Sequence, residues 1–107
     1  MRGRLTVRHR VLMRSVVREI AQERGMSADE ILSDDLARHI AHARQDAMLA
    51  MRDLGFSSPM VGAFFGKDHT TVLHGWDAAE RREERDSARE ALFAAGRKYQ
   101  HEGRASA

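Results

Sequence analysis

The segment Gly66-Lys-Asp-His-Thr-Thr-Val-Leu-His-Gly75 gathers a lysine, an aspartate, two histidines and two threonines. Three chemistries use such residues: acid–base or nucleophilic catalysis, metal binding, and the reading of a polar surface. Catalysis fits poorly. Asp68 and His69 are neighbours in sequence, so within a helix they point apart and do not form a working pair. No serine or cysteine sits in a strand-to-helix elbow, and no GxxxxGK[ST] loop is present to hold a nucleotide. The reading is therefore of a non-enzyme without cofactor. Metal binding fits little better: His69 and His74 are five apart, off the i, i+4 face that two helical histidines need. His39 and His42 are spaced to meet, but no third ligand is clearly placed beside them.

The third chemistry suits the segment. Asp68 is placed to cap a helix by accepting the backbone N–H of Thr70 or Thr71. His69, Thr70 and Thr71 then project from the exposed first turn, with Val72 and Leu73 seating the helix. In helix-turn-helix proteins such a turn meets base edges in the major groove. A threonine methyl packs on a thymine methyl, histidine donates to guanine, and a carboxylate accepts from the cytosine amino group. The helix N-terminus also favours a nearby phosphate.

The elements needed to position this turn can be read along the chain. Its 107 residues suffice for one modest core, and with no cysteine a disulfide framework is excluded. One proline and little apolar/polar alternation argue against strands, whereas abundant alanine, leucine, arginine and glutamate favour helices. The expected fold is all-α: a compact helical domain with a helix-turn-helix, a long central helix and an extra C-terminal helix. No membrane-length apolar run or signal peptide is present, so a cytoplasmic protein is expected.

A basic N-terminal arm is read over residues 1–8, the helical domain over 9–84, and a C-terminal helix with a disordered end over 85–107. The first helix is predicted from about His9 to Arg24, burying Leu12, Val16, Val17 and Ile20. Gly25 ends it. Ser27-Ala-Asp-Glu30 is a capping box that opens a short second helix with Ile31 and Leu32 inward. The long helix spans about Leu36 to Leu54, with Ile40, Ala43, Ala47, Met48, Met51 and Leu54 as its buried stripe and Arg38, His42, Gln45 and Arg52 on its surface. A short helix opening at Ser57-Ser-Pro59, a turn at Gly66 and a helix from Asp68 with Val72, Leu73, Trp76 and Ala79 inward complete the helix-turn-helix. The tail from Arg85 to about Tyr99 is amphipathic. Seven arginines before Gly25 and four acids between Gly25 and Ala37 make the charge uneven, suggesting a polyanion partner.

Asp68-His-Thr-Thr-Val-Leu-His74 resembles the signature of the C-terminal DNA-binding domain of the bacterial replication initiator DnaA. Ala43-Arg-Gln-Asp-Ala-Met48 resembles that family's long-helix segment, and Ser58-Pro59 with Val61-Gly62 its first helix-turn-helix element. The resemblance runs from about Val16 to about Arg82. It implies a helical domain that recognises the DnaA box in double-stranded DNA, with Asp68, His69, Thr70 and Thr71 reading the major groove. It further implies that Arg44 enters the adjacent minor groove; from its sequence position alone, Arg44 reads as a solvated helix residue. Phosphate contacts are expected from Lys67, Arg8, Arg10, Arg14 and Ser58.

The chain departs from the family at several points. Gly66 stands alone before Lys67, where the family has two glycines and an arginine, and lysine lacks the planar fork. The loop before the long helix carries Asp34 and Asp35 where the family is commonly basic. Gly75 and Trp76 replace smaller or better helix-forming residues. No ATPase module accompanies the domain, so a free-standing DNA-binding protein is expected, acting as a transcriptional regulator or as a competitor at replication sites, without nucleotide or membrane. The alternative is a helical adapter whose C-terminal helix docks on a protein partner or a second copy.

Overall fold

A computed structural model describes the backbone of residues 4–106 and the side chains of residues 4–97. The expected all-α fold is present, among the described residues, as five helices: α1 (Val7–Arg24), α2 (Ala28–Leu32), α3 (Arg38–Asp53), α4 (Ser58–Phe65) and α5 (His69–Ser106). Residues 1–3 of the expected arm and the terminal Ala107 lie outside the described residues, as do the side chains beyond Arg97.

Local chemistry explains most boundaries. α1 starts two residues earlier than the sequence suggests, because Thr6 and His9 form a capping box. The Thr6 hydroxyl accepts the His9 N–H at 3.1 Å, and His9 Nδ1 accepts the Thr6 N–H at 3.2 Å. Val7 and Arg8 therefore belong to the helix. Gly25 closes α1 at φ 67°, the left-handed conformation that only glycine adopts cheaply. The Ser27–Glu30 box is formed as expected.

α3 begins at Arg38 rather than near Leu36. Ser33 Oγ accepts the Asp35 N–H at 3.2 Å, and Asp35 Oδ1 accepts the Ala37 N–H at 2.8 Å. These side-chain bonds give residues 33–37 a local alternative to helix.

The core forms around α3, against which α1, α2, α4 and α5 all pack, with Met13, Val17, Ile31, Met48, Met51, Val61 and Val72 fully enclosed. On α1 the buried residues are Met13, Val17 and Ala21, not Leu12, which is 44% exposed. The apolar stripe is thus rotated by about one residue from the expected one. Leu32, Leu54 and Leu73, all expected inside, are also exposed. On α5 the inner residues are Val72, Gly75, Trp76 and Ala79, an i, i+3, i+4, i+7 set.

Gly75 is buried where α5 crosses α3, and a Cβ there would lie 2.9 Å from Met48 Sδ. The half-buried Trp76 donates its indole N–H to the Met48 carbonyl at 2.8 Å and stacks under Arg52 at 5.8 Å. Arg52 also pairs with Glu80 of α5. Beyond this, Arg82 donates to Gln45 Oε1 at 2.6 Å, to Asp46 Oδ1 at 2.9 Å and to the His42 carbonyl at 3.2 Å. Asp46 in turn pairs with Arg24, so one carboxylate ties α1, α3 and α5 together. His42, Gln45 and Arg52, expected on an open surface, are half-buried in this seam.

Past Arg82 every described side chain of α5 is exposed. The expected separate C-terminal helix is the continuation of α5 itself. Its 38 residues correspond to a rod of roughly 57 Å. The molecule accordingly measures 66 Å along its long axis against 27 and 24 Å across.

Candidate nucleic-acid interface

The reading turn is set by the junction between α4 and α5. Ser57 caps α4 by accepting the Met60 N–H at 3.4 Å, with Pro59 in the first turn. Gly66 ends α4 at φ 66°. The Lys67 N–H then donates to the Gly62 carbonyl at 2.8 Å, closing the turn. A Cβ on Gly62 would stand 2.6 Å from the Lys67 carbonyl oxygen, so the turn needs glycine at that point. α4 and α5 then share their apolar faces through Val61, Phe65 and Val72. This junction is a helix-turn-helix.

Asp68 stands immediately before α5, and its carbonyl accepts the Val72 N–H at 3.3 Å. Its carboxylate lies 3.0 Å from His69 Nδ1. Among the described residues it makes no bond to the amide of Thr70 or Thr71. The expected cap on Thr70 or Thr71 is thereby corrected, whereas the 3.0 Å approach to His69 is a close contact and not a hydrogen bond. Adjacent side chains diverge inside a helix, but Asp68 is outside α5 and free to turn back on His69. Both groups are more than half exposed, so the contact orients the imidazole more than it stabilises the fold. His69, Thr70 and Thr71 are exposed, as is His74 one turn on.

Arg44 is not a solvated helix residue. Among the described residues it is the one charged side chain that is buried, 6% exposed. Its Nε donates to the Ile31 carbonyl at 2.8 Å, and Nη2 donates to the carbonyls of Asp35 at 3.0 Å and Glu30 at 3.4 Å. The guanidinium thus satisfies the free carbonyl end of α2 and fastens the loop between α2 and α3. To enter a groove it would have to abandon these three acceptors.

That loop lies against the reading turn. A cleft of about 250 Å³ separates them, lined by Asp34, Leu36, Arg44, Lys67, Thr71 and His74 among others. Asp34 forms an ion pair with Lys67 across it. The bonded lysine, first by its hydrogen bond and then by its charge, holds the Asp34 carboxyl below the ordinary aspartate range. Leu36, 86% exposed, sits at the rim.

The remaining basic residues lie elsewhere. Arg8, Arg10 and Arg14 are exposed on α1 and carry no acidic partner among the described residues. His9 packs edge-on against Phe56 at 5.5 Å, which brings the start of α1 to the turn that leads into half-buried Ser58. Ser58 and the start of α1 therefore lie at the opposite end of α4 from the reading turn. α4, at eight residues, separates its two ends by roughly 12 Å. The seam residues Asp46, Gln45 and Arg82 were missed in the sequence because their partners are remote; only the place of Arg82 three residues on from Ala79, along the inward face of α5, signals them.

Among the described residues no group of three His, Cys, Asp or Glu is placed to hold a metal, and no helix is long and apolar enough to cross a membrane. The fold and this exposed first turn define a helix-turn-helix DNA-binding domain. The family model for the bacterial DnaA protein helix-turn-helix matches residues 13–78, more than half of the chain, and the chain belongs to that family. Similar curated relatives are chromosomal replication initiator proteins DnaA. That of Deinococcus deserti is 39% identical over 66 residues, covering 61% of this chain and 14% of the relative. That of Cutibacterium acnes is 44% identical over 61 residues (55% and 12%), and that of Synechocystis 35% over 74 residues (67% and 17%). The chain thus spans only a small part of the length of these relatives. No solved structure matches it.

Proposed function

We propose that this domain binds double-stranded DNA sequence-specifically at DnaA-box-like sites, as a small transcriptional regulator or as a competitor at replication sites. The observation that carries the reading is the exposed first turn of α5, where Asp68, His69, Thr70 and Thr71 precede the buried anchor Val72. Inserted in a major groove, the two threonines and the histidine meet base edges, and Asp68 accepts from a cytosine amino group or steers His69. Lys67 meets a phosphate beside this turn. Arg8, Arg10 and Arg14 on α1 and Ser58 at the far end of α4 meet further phosphates, giving register without sequence information.

Arg44 acts in this reading through the loop that it fastens, not as a groove-entering side chain. Leu36 and the loop around it then present the surface that lies next to the reading turn.

The test is fluorescence anisotropy with labelled duplexes that contain or lack a DnaA-box-like site, across a salt series. Specific binding gives a clear preference for the site and a steep fall in affinity with salt. Equal affinity for both duplexes removes the specificity, and a flat salt response removes DNA binding itself.

One observation favours a second role beside the first. Leu92 and Phe93 are 74% and 69% exposed on the projecting part of α5, a surface available to a protein partner or a second copy. If Leu92→Glu abolishes function in cells while DNA binding in vitro is unchanged, the adapter reading gains this surface.

A further inference from the structure

We propose that Asp34 is a built-in competitor for the cation of the reading turn, so that DNA must displace an intramolecular carboxylate before Lys67 can hold a phosphate. The inference rests on the DNA-binding reading above and deepens it.

Three features place the competition at this pair. The backbone of Lys67 cannot move away, since its N–H is bonded to the Gly62 carbonyl and its own carbonyl is wedged against Gly62. Only the side chain is free to choose a partner. Asp34 is the one acid paired with that ammonium among the described residues, and it is 89% exposed in the lining of the cleft. The loop that carries it is not slack: Arg44 grips the carbonyls on either side of it, at Ile31 and Asp35, and Asp35 is itself bonded to Ser33 and Ala37. The loop therefore keeps the carboxylate within reach of Lys67, in competition with an approaching phosphate.

The consequence is a weakened, quickly exchanging complex. An ammonium already neutralised by a carboxylate adds little net counterion release when it changes partner. Removing the carboxylate restores both the charge and the site.

The test is a double-mutant cycle of Asp34→Asn and Lys67→Met, measured by anisotropy on site-containing and random duplexes across salt. Trp76 fluorescence confirms that each variant is folded. Asp34→Asn is expected to tighten binding about two- to fivefold, in line with an exposed ion pair. Its log–log salt slope should steepen by about 0.9, one further phosphate contact. In the Lys67→Met background most of this gain should vanish. A gain that persists undiminished without Lys67 overturns the proposal, because the carboxylate then repels DNA generally. No gain in the Lys67 protein overturns it as well. Failure of every folded variant and the parent to bind any duplex at low salt instead overturns the DNA-binding reading, a separate and recognisable result.

Discussion

Replacing Arg44 by methionine removes the donors of the guanidinium while keeping an unbranched stem in the core. The Nε bond to the Ile31 carbonyl is buried, and leaving that acceptor unmatched costs about 1–3 kcal/mol. The Asp35 and Glu30 carbonyls are only partly buried, and the Glu30 bond is long at 3.4 Å, so water replaces much of what they lose. Together the loss is about 2–4 kcal/mol, a large share of the roughly 5–15 kcal/mol that holds a small domain folded. The unfolding midpoint should fall by on the order of 10–25 °C. Trp76, the only tryptophan and bonded to α3, reports unfolding in urea or on heating. With the loop released, affinity for site-containing and random duplexes should drop together, by a similar factor. If Arg44→Met unfolds at the parent's midpoint and loses only its preference for the site, Arg44 does not anchor the loop. Arg44 would then be a residue that enters the groove.

The other expectations follow from single contacts. Gly62→Ala forces a Cβ to within 2.6 Å of the Lys67 carbonyl oxygen and should destabilise the domain by about 1–3 kcal/mol, read in urea unfolding. Gly75→Ala brings a Cβ to 2.9 Å from Sδ of the enclosed Met48, so the gain in helix propensity offsets the repacking only in part and stability should fall by about 0–2 kcal/mol. Arg82→Ala should loosen α5 from α3, seen as faster amide exchange in residues 76–84, because its donors to Gln45, Asp46 and the His42 carbonyl are lost together. The imidazole of His42 is held below the ordinary histidine range by desolvation and then by the nearby Arg82 charge. The unfolded chain therefore binds that proton more readily. The contribution of His42 to stability is full above a pH of about 6.5 and is lost as pH falls through its lower folded value. A pH series of urea midpoints checks this, and His42→Gln should flatten it in that window.

Much of the fold was legible because its boundaries are written in local chemistry. Ser27 with Glu30, Gly25, Ser57 before Pro59, and Gly66 each mark an end by a bond or backbone angle that neighbours alone decide. The errors fall where a local rule met a competing one. His9 does the work of a capping glutamate, so α1 opens earlier than its apolar spacing suggests. Ser33 and Asp35 draw backbone amides to their side chains and delay α3. Leu12 and Leu73 are apolar but lie just off the inward stripe, which Met13 and the Val72–Gly75–Trp76 set occupy instead. Continuity of α5 was hidden by the charged stretch around Arg85 and by Gly96, neither of which breaks a helix unaided.

At the site, the reading turn was visible as a polar run ahead of Val72. The burial of Arg44, the Asp34–Lys67 pair and the Arg24–Asp46–Arg82 chain were not, since each joins residues far apart in sequence. Asp68 shows the limit from the other side. It reads as a helix cap, yet it makes no bond to the Thr70 or Thr71 amide among the described residues, and its carboxylate approaches His69 instead.

If the first turn of α5 reads sequence, altering it must erase the choice of site without erasing affinity for DNA. Selection of bound sites from a random duplex pool, with the parent and a His69→Ala/Thr71→Ala variant side by side, decides this. The parent should enrich one asymmetric DnaA-box-like site, and the variant should enrich none while keeping salt-sensitive binding to random duplex. Enrichment of the same site by the variant, or of nothing by the parent, refutes reading by this turn.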